Sequence, residues 1–308
     1  MINDMTWFLK TSGIIGSDID LVQGTGGNIS VKIGDKMIIK SSGIRLDSIT
    51  NDSGYSIVNY KNIAKTYQRN LSEPQANKLI YKSVLNRSIP SLETGFHSFL
   101  KKYVVHAHSP TINIITCSLK SLDILSDIFK NFLWVPYTKV GYKLSKEIYN
   151  RLEKNTNLIF LENHGVIVSS DSGSECLKFL YVAREKIKHY LKSRIKTFYS
   201  FSYNDLLKKP DYFLNSSHYP IRKNVFKRCL FPDACVFSKS KKVVLTKQGI
   251  KYFMDYYNAR NVDEILSAHI YIENMIRLLG EPKYLTKKEF DDILSMSSEK
   301  YRRRLVGV

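Results

Sequence analysis

Tyr103-Val104-Val105-His106-Ala107-His108 sets two histidines two residues apart at the end of a run of strand formers. Side chains alternate faces along a strand, so His106 and His108 point the same way. Two imidazoles side by side can both reach one ion at about 2.0–2.1 Å. Taken alone, the pair reads equally well as two ligands or as two packing histidines. Neighbouring segments tip the balance.

Downstream, Asn157 to Leu161 and Val166 to Ser169 read as strands flanking Glu162-Asn163-His164-Gly165, where the glycine permits a tight turn. His164 is thereby held at a rigid turn and becomes a third candidate ligand. Three histidines with an open position suit a catalytic rather than a structural zinc. Upstream, Pro90-Ser91-Leu92-Glu93-Thr94 places Glu93 at the start of a helix expected over Glu93 to Lys102. The helix dipole accounts for a carboxylate there; a fourth ligand or an acid/base group is the functional reading. His97, one turn further on, takes a structural or supporting role. His189, His218 and His269 lack any such context.

The turn Gly24-Thr25-Gly26-Gly27-Asn28 fails the dinucleotide pattern at its last position, is followed by a strand, and lacks the Lys-Ser/Thr of a P-loop. It remains a loop of exposed N–H groups suited to phosphate oxygens. The hairpin strands Ile29–Ile33 and Lys36–Lys40 follow it, and Ser41-Ser42-Gly43 ends the second, with Lys40 to supply charge. Further helices are expected over residues 1–20, Leu122–Phe132, Leu144–Leu152, Ser174–Lys192 and Val262–Leu279, and a strand over Val243–Leu245.

The chain of 308 residues exceeds one compact core, which points to a domain over 1–197 and an extension over 198–308, punctuated by Pro210, Pro220 and Pro232. No run approaches about 18 apolar residues. Met1 to Lys10 carries Asp4 and no secretory pattern. Cys117, Cys176, Cys229 and Cys235 form no Cys-x-x-Cys pair and read as buried thiols of a cytoplasmic protein. The net charge of +19 is spread along the chain, its densest cluster being Arg302-Arg303-Arg304. With neither a ribonucleoprotein motif nor a helix-turn-helix, it does not read as a nucleic-acid-binding device.

Six motifs, in order, resemble the class II aldolase/adducin family, which includes fuculose-, rhamnulose- and ribulose-phosphate enzymes. They are Gly26-Gly27-Asn28-Ile29-Ser30, Ile39-Lys40-Ser41-Ser42-Gly43, Pro90-Ser91-Leu92-Glu93-Thr94, Val105-His106-Ala107-His108-Ser109, Val135-Pro136-Tyr137 with Gly141, and Glu162-Asn163-His164-Gly165-Val166. The resemblance implies a three-layer α/β/α fold with a central, mostly antiparallel sheet, and a homotetramer with sites at subunit boundaries. It implies His106, His108 and His164 as metal ligands, Glu93 as ligand or acid/base group, and Gly27, Asn28, Ser42, Gly43 and Ser91 around a substrate phosphate. Leu92 stands where several phosphate-binding members carry a second serine, and no tyrosine matches the family's proton donor.

The expected activity is a zinc-dependent, reversible aldol cleavage of a small, phosphorylated sugar or hydroxy-carbonyl compound through an enediolate. Epimerisation, dehydration and decarboxylation use the same parts. A non-catalytic, adducin-like interaction module is the rival of a different class, and the complete set of three histidines and a carboxylate weighs against it.

Overall fold

The computed structural model describes residues 2–202, 213–214, 220–222, 225–246, 249–296 and 300; Pro210, His218 and Arg302-Arg303-Arg304 lie outside them. Helix α1 (Ile2–Ser17) leads into the hairpin β1 (Asn28–Ile33) and β2 (Lys36–Lys40), and then β3 (Tyr55–Asn59). The hairpin turns on Gly34, whose φ of 58° suits the first position of a two-residue loop. Next come α2 (Tyr60–Tyr67), α3 (Glu73–Lys82), α4 (Thr94–Phe99), β4 (Tyr103–Ala107), α5 (Pro110–Thr116) and α6 (Ser121–Ile128). The series continues through β5 (Leu133–Val135), α7 (Tyr142–Arg151), β6 (Leu158–Leu161), β7 (Gly165–Ser170) and α8 (Gly173–Arg194).

Seven strands form one sheet in the order β3-β2-β1-β4-β7-β6-β5, antiparallel except for the β5–β6 pair. β4 is therefore the central strand. Its alternation is clean: Val105 and Ala107 face a core built with α1, α5 and α8, while Val104 and His106 face the opposite layer. That second layer is α2, α3, α4 and α7, packed through Phe96, Leu144, Ile148, Ile63 and Tyr67. Each fully buried aliphatic or aromatic side chain stabilises the sandwich by about 1.5–3 kcal/mol. The architecture is α/β/α around a mostly antiparallel sheet, as expected.

Beyond α8, a small antiparallel sheet joins β8 (Phe213–Leu214), β9 (Val243–Leu245) and β10 (Ile250–Tyr252). Three helices accompany it: α9 (Pro232–Ser238), α10 (Tyr256–Leu279) and α11 (Lys287–Ser295). Asp255 caps α10 by accepting from the Asn258 N–H, and Gly280 follows its last residue. α10 packs on α5, and Leu230, Phe231, Val262 and Ile265 are buried in the same apolar core as Ile112 and Ile115. Among the described residues no helix is long and apolar enough to cross a membrane.

The expected helices and strands lie where the pattern put them, with shifted ends. The helix expected over Glu93–Lys102 runs only from Thr94 to Phe99, because Leu100 is already extended on its way into β4.

Candidate metal centre

β4 ends at Ala107, and His108 sits in the step to α5. Ser109 makes that step sharp: its hydroxyl accepts from the Ile112 N–H at 3.3 Å, and Pro110 takes the first helical position. The buried Asp20 carboxyl accepts from the Thr111 N–H and hydroxyl and fixes the same turn. His106 is paired with Asn28 across the β1–β4 ladder and with Ile167 across the β4–β7 ladder. Its imidazole is wholly buried.

The turn that carries His164 works differently from the expectation. Asn163, not the glycine, takes the left-handed conformation, at φ 55°; asparagine is among the few residues that tolerate it. Gly165 serves close approach instead: a Cβ there would collide with the Ala107 carbonyl of β4. The two histidine-bearing segments are thus drawn together backbone to backbone.

Glu93 is the residue before α4 and makes no capping bond; its side chain turns to the histidines. Its Oε2 lies 3.4 Å from His106 Nε2, and its Oε1 lies 3.3 Å from His164 Nε2. His106 Nε2 lies 3.4 Å from His164 Nε2 and 2.9 Å from His108 Nε2. Four donors at about 2.1 Å around a tetrahedral ion sit about 3.4 Å apart, so this spacing fits a single ion. Glu93, His106, His108 and His164 form one buried cluster whose ligand atoms all lie within 4.8 Å of one another.

Proton bookkeeping reaches the same point. His106 Nδ1 lies 3.0 Å from the Val166 carbonyl, which can only accept, so the ring proton is on Nδ1 and Nε2 carries a lone pair. His108 Nδ1 donates to the Asp233 carboxylate at 2.8 Å, which turns Nε2 toward the cluster. His106 Nε2 and His108 Nε2 face each other at 2.9 Å, close enough to share one ion. Burial, opposed in part by Glu93, pushes the His106 pKa down to about 4 and that of His164 to about 3, so both rings are neutral at pH 7. Burial alone would raise the Glu93 carboxyl; the three imidazoles when protonated, together with the Asn28 amide that donates to it, outweigh burial and hold it below the usual range. Glu93 Oε1 has no hydrogen-bond partner. Three imidazoles and a carboxylate converging on one point, with one buried carboxylate oxygen orphaned, are what a divalent cation needs, and the site can bind one.

A relay supports the carboxylate. Ser30 donates to His97 Nδ1 at 2.7 Å, and His97 Nε2 donates to Asn28 Oδ1. The Asn28 amide is therefore oriented to donate to Glu93 Oε2 at 2.7 Å and to Ser91 Oγ at 3.2 Å. His97 is hydrogen-bonded toward the cluster through Asn28. The cleft at the cluster is lined by Gly27, Asn28, Lys40, Ser42, Gly43 and Ser91, together with Leu92, Val140, Pro232 and Asp233. Gly27 and Gly43 have φ of 61° and 75°. Lys40 reaches the Thr25 and Ile44 carbonyls at 2.7 and 2.8 Å and ties the glycine loop to the 41–44 loop. Among the described residues lining this cleft there is no tyrosine; Tyr137, on the fifth motif, instead anchors its N–H on Glu162.

Asp233 escaped the sequence reading. It lies 125 residues from His108, in the proline-punctuated extension, and only Pro232-Asp233, a helix-start pair, marks the place.

Fold and cluster together define an α/β/α protein with a buried three-histidine, one-carboxylate centre at the end of its central strand. The chain belongs to the class II aldolase and adducin N-terminal domain family, whose family model matches residues 15–191. It is 30% identical over 200 residues to an uncharacterized oxidoreductase, YuxG, of Bacillus subtilis; the match covers 60% of this chain and 29% of that protein. It is 28% identical over 155 residues to the L-fuculose phosphate aldolase of Methanocaldococcus jannaschii, covering 49% of this chain and 75% of that one. Among solved structures, the N-terminal class II aldolase domain of a conserved protein from Thermoplasma acidophilum superposes with a TM-score of 0.57 at 29% identity. That superposition covers 61% of this chain and 93% of that domain.

Proposed function

We propose that the protein is a zinc-dependent lyase that reversibly cleaves a carbon–carbon bond in a small, phosphorylated sugar or hydroxy-carbonyl compound. The observation that carries this reading is the four-residue cluster opening onto a cleft edged with glycine and serine. His106, His108 and His164 hold the ion, with Glu93 as the fourth residue of the set. Three imidazoles and a carboxylate suit zinc among the common divalent metals. When bound, the ion supplies a fixed positive charge against the negative charge that develops on a substrate carbonyl oxygen.

The remaining tasks fall to the chain. Glu93 Oε1 is ionised and unclaimed by any hydrogen bond, and we assign it the proton that substrate must lose and regain. Asn28 holds the other oxygen and keeps the carboxylate from rotating. Gly27, Asn28, Ser42, Gly43 and Ser91, which line the cleft, are assigned to the substrate phosphate. Leu92 and Val140 add apolar surface to the cleft lining. The M. jannaschii relative, by its name, acts on L-fuculose phosphate, which supports a sugar phosphate here. The oxidoreductase in the name of YuxG describes a protein of which the match spans 29%, and it gives no support for a redox reaction in this chain. We further propose a homo-oligomer, tetrameric by family resemblance; a cleft without a tyrosine among its described residues is suited to receive one from a neighbouring subunit.

The test is turnover. Metal-loaded protein is incubated with a panel of ketose phosphates, and released aldehyde is followed through a coupled reductase. Aldehyde release that is abolished by chelator and in Glu93→Gln supports cleavage. Isomerised, dehydrated or decarboxylated products would assign one of those reactions to the same centre. Turnover undiminished by chelation and in His106→Ala would sink the metal mechanism.

A further inference from the structure

Resting on the metal reading above, we propose that Asp233 is a positioning residue for the metal, so that the segment after residue 198 completes the centre. The juxtaposition is direct. Asp233 Oδ2 lies 2.8 Å from His108 Nδ1, on the far side of the ring from the cluster, and both side chains are buried. A carboxylate on one ring nitrogen fixes the tautomer, aims the other nitrogen's lone pair at the ion and raises its basicity. His106 obtains the same service from the Val166 carbonyl of its own sheet; His108 obtains it only from outside the sheet.

The pair has no slack. A Cβ at Gly26 would lie 2.9 Å from His108 Nδ1 and 3.1 Å from Asp233 Oδ2, so the glycine loop closes over the contact with no side chain between. Asp233 is itself held rigidly: every residue from Pro232 to Phe237 is buried, and α9 packs on α10 and α11.

The same segment grips the other loops of the centre. The Asn163 amide donates to the Leu230 and Lys283 carbonyls at 2.7 and 2.6 Å, which holds the left-handed turn before His164. Glu264 accepts from the Gly24 N–H at 2.7 Å and pairs with Arg45 at 2.8 Å, joining the glycine loop and the 41–47 loop to α10. A family model that stops at residue 191 therefore omits part of what positions the ligands.

The experiment compares full-length wild type, Asp233→Asn, Asp233→Ala, Asp233→Glu and His106→Ala. Zinc affinity is measured by chelator competition, the visible spectrum is recorded with cobalt(II) in place of zinc, and unfolding of the metal-free proteins is followed in urea. Asp233→Asn and Asp233→Ala are expected to bind zinc about 10- to 100-fold more weakly with altered cobalt bands. Asp233→Glu should recover part of the affinity, and His106→Ala should lose the ion. Wild-type affinity and cobalt bands in Asp233→Asn and Asp233→Ala, with His106→Ala still losing metal, would overturn the role of Asp233 alone. Loss of metal-free stability without a change in affinity or spectrum would also overturn it, by showing a packing role. Absence of metal uptake in the wild type would overturn this inference together with the reading beneath it.

Discussion

Gly27→Ala is expected to cost about 2–5 kcal/mol of folding free energy, and two other glycines of the chain separate the causes. At Gly27 the backbone has φ 61°, and a Cβ would lie 2.6 Å from Val22 Cγ1 and 2.9 Å from the His106 carbonyl. Carbon atoms pack at about 3.5–4.0 Å, so Val22 must retreat by about 1 Å or the loop must lift from β4. The left-handed conformation costs an L-residue about 1–2 kcal/mol, and overpacking adds about 1–3 kcal/mol. Gly34 has nearly the same φ, 58°, with nothing within 4 Å of its Cβ position. Gly34→Ala should therefore show the conformational cost alone, about 1–2 kcal/mol. Gly13, exposed inside α1, has neither burden, and Gly13→Ala should stabilise by up to about 1 kcal/mol. Urea unfolding of the three metal-free variants reads the series, and zinc affinity should fall in Gly27→Ala alone, because its carbonyl neighbour belongs to a ligand. Gly27→Ala no less stable than Gly34→Ala would refute the close packing of the glycine loop on β4.

Asn28→Ala removes the donor to Glu93 and the acceptor for His97, so the metal-free protein should lose about 1.5–3 kcal/mol; a loss under 0.5 kcal/mol, on the order of an ordinary surface change, would show that the relay does not support Glu93. Buried His269, whose Nε2 accepts from the Leu230 N–H, has its pKa pushed by burial from 6.5 down to about 4. A histidine lowered in the folded state contributes stability above about pH 6.5 that is lost as pH falls toward 4, up to roughly 3 kcal/mol. His269→Gln should therefore show a flatter urea midpoint between pH 7 and 5 than the wild type, and an equal slope would contradict the assignment. All four cysteines are buried, and burial raises the Cys176 thiol to about 12. A thiol reagent should label none in native protein and four in urea; rapid native labelling would place at least one at the surface.

How much the sequence disclosed follows from the range of the interactions involved. The His106–His108 pair was legible because a two-residue period on a strand is a local rule, and His164 because two apolar runs bracket its turn. The reason for that turn was misassigned: the left-handed residue is Asn163, and Gly165 answers to a strand almost sixty residues away, which no local pattern encodes. Asp233 was invisible for the same cause, since its partner is met only after α9 docks on α10. α2 and α3 were passed over because eight- to ten-residue helices with two or three buried positions show too few turns for a 3.6-residue period to stand out. The mostly antiparallel sheet and its layers came from the order of the six motifs rather than from periodicity.

The most direct test of the metal centre is elemental analysis of protein purified without added metal, with His106→Ala and His164→Ala alongside. The account predicts about one zinc per chain in the wild type and none in either variant, with all three folded. Wild-type protein that neither carries a divalent metal nor takes one up on addition would contradict it.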